Sequence, residues 1–178
     1  MVETVKATER DIAEISAIYE RIHDEEESGK TSVGWVRGVY PTEKMAREAL
    51  AAGELFVMKD DGRTVAAARI NKNQVAEYAN ANWHEKNAPS DKIMVLHTLV
   101  VDPLCKGTGY GTAFVDFYEK FALENGCPYL RMDTNAVNTA TRRLYSHLGY
   151  TEADIVPCDF NGIRGISLVC LEKTLSAE

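Results

Sequence analysis

The chain has 178 residues, 20 of them basic and 27 acidic, for a formal charge of −7, and 45% of its residues are hydrophobic. That length suits a single domain over 1–178 that buries about two-thirds of its unfolded surface, and the composition excludes a disordered or fibrous chain. No stretch nears the roughly 20 apolar residues of a membrane span, and no dense Lys/Arg run offers a nucleic-acid face. The opening, MVETVKATERD, lacks the apolar core of a leader, so a cytoplasmic location is expected. Cys105, Cys127, Cys158 and Cys170 form no CxxC pair, and His23, His84, His97 and His147 form no HExxH pair. A metal site is therefore not expected.

In chain order, VETVKA (2–7) reads as a strand, and Thr8 with Asp11 signals a helix start. Ile12, Ile15, Ile18 and Ile22 then recur at helical spacing and predict one buried stripe. The run Asp24-Glu25-Glu26-Glu27 reads as a solvated helix end. A glycine-containing segment, TSVGWVRGVYPT, separates this helix from a second one starting near Thr42. LFVMKDDGRTVAAARI predicts a hairpin around Asp-Gly, and residues 72–92 a polar loop with a helical turn near Val75–Ala79. IMVLHTLVVD (93–102), apolar on both faces, predicts a strand between two layers. A helix from about Gly109 to Asn125, a strand at 128–134, a helix at 138–148 and a last hairpin around Asn-Gly complete a mixed α/β order.

The most informative stretch is LVVDPLCKGTGYGTAF (99–114), in which a buried strand ends at Pro103 and Lys106-Gly107-Thr108-Gly109-Tyr110-Gly111 opens into a helix. Glycines let backbone approach a ligand closely, and free N–H groups at a helix start form an anion nest. A phosphate is the natural guest, although a tight strand-to-helix turn is the plainer alternative. The spacing breaks the dinucleotide fingerprint, because Thr112 puts the third glycine out of register. Gly29-Lys30-Thr31 has the ending of a nucleoside-triphosphate loop, but Asp24 stands where its first glycine belongs.

Val101-Asp102-Pro103, then Lys106-x-x-Gly109-x-Gly111, together with Asn138 through Tyr145, Gly149 and Tyr150, resemble two motifs of the GCN5-related N-acetyltransferase (GNAT) superfamily. TSVGWVRGVYPT and IVPCDFNGI are similar to a bacterial branch of it. Two departures stand out. Lys106 replaces a Gln or Arg and gives a phosphate a point charge without a guanidinium fork, and Thr141 stands for a small Ala. The resemblance implies a mostly antiparallel sheet splayed between two central parallel strands and flanked by about four helices. It also implies acetyl-CoA as co-substrate, with no metal.

By the same resemblance, the backbone of Leu99, Val100 and Val101 binds the acetyl carbonyl and pantetheine arm, an oxyanion-type device worth on the order of 3 kcal/mol. The amides of Gly107, Thr108, Gly109, Tyr110, Gly111 and Thr112 hold the pyrophosphate beside Lys106. Asn138 hydrogen-bonds the cofactor, Arg142 meets a phosphate, and Tyr145 protonates the departing thiolate, its reference pKa near 10 exceeding a thiol's ~8.5. Helical spacing places Asn138, Arg142 and Tyr145 on one polar face, with Val137, Ala140, Leu144 and Leu148 opposite.

A lysine-like amine is neutral in only about 0.04% of molecules at pH 7, so a base is needed. His97 is the ionisable group of its strand, expected on the same face as Leu99 and Val101, either as that base or as a core packing residue. Trp35, Arg37 and Tyr40 are candidates to border the acceptor. The reading is direct acetyl transfer to a primary amine on a small molecule or peptide, by a monomer or homodimer without nucleic-acid or membrane partners. Its rival is a non-catalytic acyl-CoA-binding regulatory domain on the same fold.

Overall fold

A computed structural model describes residues 1–176. Seven strands form one sheet: β1 (Val2–Lys6), β2 (Leu55–Asp60), β3 (Arg63–Asn71), β4 (Ile93–Val101), β5 (Tyr129–Asn135), β6 (Thr151–Phe160) and β7 (Ile163–Thr174). Their order is β1-β2-β3-β4-β5-β7-β6, with the β4–β5 pair parallel and the other pairs antiparallel. Four helices cover it: α1 (Ile12–Glu27), α2 (Glu43–Ala51), α3 (Tyr110–Glu124) and α4 (Thr139–His147). Among the described residues no helix is long and apolar enough to cross a membrane. The splayed, mostly antiparallel sheet with four helices is the expected architecture.

Each helix is placed by its apolar stripe. Ile12, Ile15 and Ile18 of α1 are at most 1% exposed and pack with Ala46 and Ala49 of α2 onto Leu55, Val57, Ala67 and Val100. Each buried isoleucine contributes roughly 1.5–3 kcal/mol. On the opposite face, Phe114, Val115 and Tyr118 of α3 meet Phe56, Leu96 and Met132. The Thr8–Asp11 signal is a reciprocal capping box, with the Thr8 amide donating to Asp11 Oδ2 at 2.7 Å, and Thr42 caps α2. The segment 72–92 folds back as a plug: Tyr78 and Trp83 are buried against Ile93, Val95 and Cys170, and the Arg131 guanidinium lies 4.1 Å from the Trp83 ring centroid.

The central parallel pairing is short. Ile93–Leu96 of β4 pairs with Tyr129–Met132 of β5, and there it stops. Tyr118 pins this paired half by donating to the carbonyls of Met94 (2.7 Å) and Arg131 (3.3 Å), one on each strand. Beyond it the strands part, so their facing backbone groups are left for water or a ligand.

Candidate active site

The parting is coupled to a β-bulge. Ala67 pairs with Val100 and Arg69 with His97, so Thr98 and Leu99 together oppose Ala68. Thr98 takes up the extra residue at φ 54°, which breaks the two-residue alternation of the strand. His97 therefore does not share a face with Leu99 and Val101, as simple alternation predicts. Leu99 and Val101 pack toward the α3 side and line a cavity of about 640 Å³ between the splayed strands, whereas His97 lines a second cavity of about 320 Å³.

The mouth of the larger cavity is the glycine loop. Asp102 is fully buried and accepts from Arg21 (2.8 and 2.9 Å), Arg63 (2.7 Å) and the Leu104 amide (3.0 Å), which clamps the end of β4 to α1 and β3. Both guanidiniums and the Leu104 amide hold its carboxyl below the usual range against the opposing cost of burial. The chain then turns at Gly107 (φ 77°) and Gly109 (φ 83°), left-handed positions that suit glycine, with open space where a side chain would start. Gly109 caps α3 with no side-chain cap. Among the described residues, the amides of Gly107 to Thr112 have no protein acceptor. Gly111 serves a different purpose: an added Cβ would touch Leu144 at 3.4 Å and Val101 at 3.7 Å. Lys106 lines the cavity and is paired with Glu25 of α1.

On α4 the expected division into a polar and an apolar face does not hold. Asn138 is the helix cap, its Oδ1 accepting from the Thr141 amide at 3.2 Å, and it lines the larger cavity with Leu144 and Tyr145. Tyr145 is 4% exposed, packed in the core near Tyr150, and its hydroxyl has no hydrogen-bond partner among the described residues. Burial, then the charge of Asp133, pushes its pKa well above 10. Arg142 is turned away from the cavity, its guanidinium forked onto Glu152 at 2.7 and 2.8 Å. The sheet reaches α4 from the side that spacing assigned to polar residues, because Glu152, the second residue of β6, supplies that carboxylate.

The α1–α2 connection roofs the larger cavity. Trp35 and Tyr40 line it, and Tyr40 reaches the smaller one too. Arg37 borders neither, since Glu20, Asp24 and Glu27 of α1 hold it on the outer surface. The acidic run is thus more than a solvated helix end: Glu26 also accepts from the amides of Val33 (2.7 Å) and Gly34 (3.1 Å). Gly34 lies so close to Asn135 that a Cβ there would overlap the amide nitrogen of that side chain.

Five residues belong to both cavities: Tyr40, Thr98, Asp133, Phe160 and Asn161. Asp133 escapes sequence reasoning because an Asp late in a strand gives no periodic or motif signal. It stands on β5 just past Met132, the last residue paired with β4, and accepts from the Tyr78 hydroxyl at 2.6 Å. Burial, opposed by that hydrogen bond and reinforced by Glu77, raises its pKa to about 6. His97 behaves oppositely: burial first, then the Arg69 charge, lowers its pKa to about 4. Asn71 donates from Nδ2 to Glu54 (2.9 Å), so its Oδ1 must accept from His97 Nε2 (2.8 Å). The imidazole is neutral at pH 7 with its proton on Nε2.

These two groups act on stability with opposite signs. His97 contributes a term that is full above its unfolded pKa of about 6.5 and lost as pH falls through about 4. Asp133 imposes a cost above about 6 that is relieved as pH falls toward its unfolded value of 3.8. In the native chain the two largely offset. On acidification from pH 7 to 4.5, His97→Gln is expected to gain stability relative to the native chain and Asp133→Asn to lose it, each on the order of 2 kcal/mol. Urea unfolding at both pH values checks this, and parallel curves for all three proteins would refute it.

A helix-flanked sheet split at its centre, with a turn of unpartnered amides at one mouth of the split, defines an α/β acetyltransferase domain. The chain belongs to the acetyltransferase (GNAT) family, whose model matches residues 15–150. The fold is similar to a GNAT-family acetyltransferase from Streptococcus agalactiae (TM-score 0.82, 20% identity, covering 99% of this chain and 96% of that one). It is also similar to the ribosomal-protein-S18-alanine N-acetyltransferase of Escherichia coli (0.67, 18%, 100% and 96%). A third similar structure is yncA of Salmonella typhimurium, solved with its cofactor acetyl-CoA (0.66, 18%, 100% and 96%). Among curated proteins, none matches the sequence.

Proposed function

We propose that the protein is an acetyl-CoA-dependent N-acetyltransferase that moves the acetyl group directly to a primary amine. The observation that carries this reading is the row of unpartnered amides from Gly107 to Thr112, set at the mouth of a cleft that runs inward past Val101, Val100 and Leu99 to Tyr145. The residues suit the co-substrate. Successive N–H groups and the start of α3 answer a pyrophosphate, Lys106 adds charge once it leaves Glu25, and the unpaired edge of β4 answers a pantetheine amide. Bound acetyl-CoA supplies an activated thioester; the chain supplies position, a carbonyl-facing amide and a proton donor. Asn138 has its Nδ2 left over after capping α4 and serves the cofactor arm, whereas Arg142, held by Glu152, takes no part.

The smaller cavity is the acceptor site in this reading. Its volume of about 320 Å³ suits a small molecule or a single terminal residue. Its lining of Tyr40, His97, Asn71, Asn161 and Phe160 offers polar contacts around two carboxylates, Asp133 and Glu48. Arg69, already engaged by Glu54 at 2.5 Å, adds little positive potential there. A thermal shift with acetyl-CoA, CoA, ATP and NAD side by side tests the cofactor. At 100 times Kd the CoA compounds are expected to raise the midpoint by roughly 5–11 °C, at about 2.7 kcal/mol of stabilisation. A rise with ATP or NAD and none with CoA would refute the reading. Thiol release from acetyl-CoA over a panel of amines then tests the transfer.

A further inference from the structure

We infer that Asp133 is the catalytic base, receiving the proton of the acceptor's ammonium at the junction of the two cavities, so that the site takes its amine as a cation. This rests on the transferase reading above and deepens it. The acetyl group and the amine must meet where both cavities open. Of the five residues common to both walls, Tyr40, Thr98, Phe160, Asn161 and Asp133, only Asp133 can be an anion at neutral pH. Tyr40 is pushed up by burial and engaged with Thr98. Asp133 Oδ2 is held by Tyr78, while Oδ1 accepts no hydrogen bond among the described residues and is not sealed from the cavities. One oxygen is thus fixed and the other left for a ligand.

The two cations nearest that oxygen are engaged elsewhere. Arg69 of β3, which shares the smaller cavity with Glu48 of α2, is bonded to Glu54, and Arg131 of β5 is held by Gln74, the Glu85 carbonyl and the Trp83 ring. Tyr78 and Glu77 approach from the 72–92 segment, Tyr40 from the α1–α2 connection, Tyr145 from α4, Cys158 from β6 and Cys170 from β7. His97 of β4 shares the smaller cavity but is neutral, and its Nε2 proton is committed to Asn71. The carboxyl's own pKa near 6 matches the task, as a base should titrate just below the working pH.

In the transfer, Asp133 takes one proton from the ammonium, and the freed nitrogen pair forms the C–N bond. The C–S bond then breaks, its electron pair leaving on sulfur, which takes the Tyr145 proton. The second nitrogen proton returns to the Tyr145 oxygen through solvent, and Asp133 releases its proton to water. One amine cation and one thioester give one amide, one thiol and one proton. Neutralising Asp133 early also removes the charge that raises Tyr145, which eases the later donation.

The test compares native enzyme, Asp133→Asn and His97→Gln, with butylamine, ethanolamine, glycine amide and spermidine as probes. With butylamine, native kcat/KM is expected to fall tenfold per unit below about pH 6 and to be level from 6.5 to 9, because ammonium and carboxylate react as a pair. With glycine amide, an α-amine titrating at about 8, the profile of each protein should turn at that pH. In Asp133→Asn only free amine is productive. The plateau should become a tenfold rise per unit across the whole range, with kcat/KM at pH 7 down at least 100-fold and acetyl-CoA binding within twofold. His97→Gln should keep the plateau. Asp133→Asn with a native profile and kcat/KM within threefold would overturn the inference.

Should CoA bind but no probe amine be turned over, the transferase reading fails and the base role with it, and carbon-detected NMR of the Asp133 carboxyl still decides whether the junction takes an amine as a cation. A midpoint near 6 that drops by at least half a unit with saturating butylamine supports it. A midpoint near 4 that butylamine leaves unmoved overturns it.

Discussion

Tyr145→Phe is expected to lower kcat by 10²-fold or more while leaving the affinity for CoA within about twofold. The hydroxyl is the part removed, and it has no structural partner to lose: the ring packs in the core, and the oxygen makes no hydrogen bond within the described chain. A general acid typically contributes 10²–10⁴-fold, and a buried phenol whose pKa is raised by burial and by Asp133 is fully protonated at every working pH. The variant should therefore fold as well as the native protein, with a thermal midpoint unchanged or slightly higher. Thiol-release kinetics together with calorimetric titration of CoA separate the two effects. Equal kcat in the variant would remove Tyr145 from the chemistry, and would favour water or the amine itself as the proton source.

Asp102→Ala is expected to be among the most damaging single substitutions, costing on the order of 3–5 kcal/mol. The carboxylate is fully buried and answers two guanidiniums and a backbone amide. Removing it leaves Arg21, itself one-third exposed, facing a cavity with no counter-charge, the situation in which one half of a buried ion pair is costly to lose. Arg63, half-exposed, can return to water at little cost. The same residue starts the turn into Gly107–Thr112, so the damage should extend to function, and CoA affinity should fall more than stability alone explains. Asp102→Asn keeps the amide contact and should recover part of the stability. Urea melts of both variants, with CoA titration below the onset of unfolding, check this. A loss under 1 kcal/mol in Asp102→Ala would mean the clamp is ornamental.

Much of the molecule is legible from short-range chemistry. The isoleucine stripe of α1, the Asp-Gly and Asn-Gly hairpins and the caps at Thr8 and Thr42 each follow from the properties of a few neighbouring residues. So do the doubly apolar β4 and the glycine turn into α3. Each of these local signals agrees with the tertiary arrangement around it, which is what a cooperatively folding chain requires. The Lys106–Gly111 and Asn138–Tyr150 patterns locate the larger cavity for the same reason: a glycine turn and a helix end are built from residues close in sequence.

Periodicity fails where one residue or one distant partner changes a direction. The bulge at Thr98 reverses the face of every residue after it and puts His97 and Leu99 on opposite sides of the sheet, and nothing in IMVLHTLVVD announces it. Arg142 and Arg37, candidate phosphate and acceptor ligands by the family resemblance, are claimed by Glu152 and by three carboxylates of α1, partners that only folding brings near. By itself, then, the sequence determined the elements, their order, the family and the glycine turn into α3, because these depend on contacts within a few residues. Only the tertiary structure decided which side chains meet at the junction of the two cavities. Asp133 gains its raised pKa from burial and Glu77, and one fixed oxygen from Tyr78, residues more than 50 positions away in the chain.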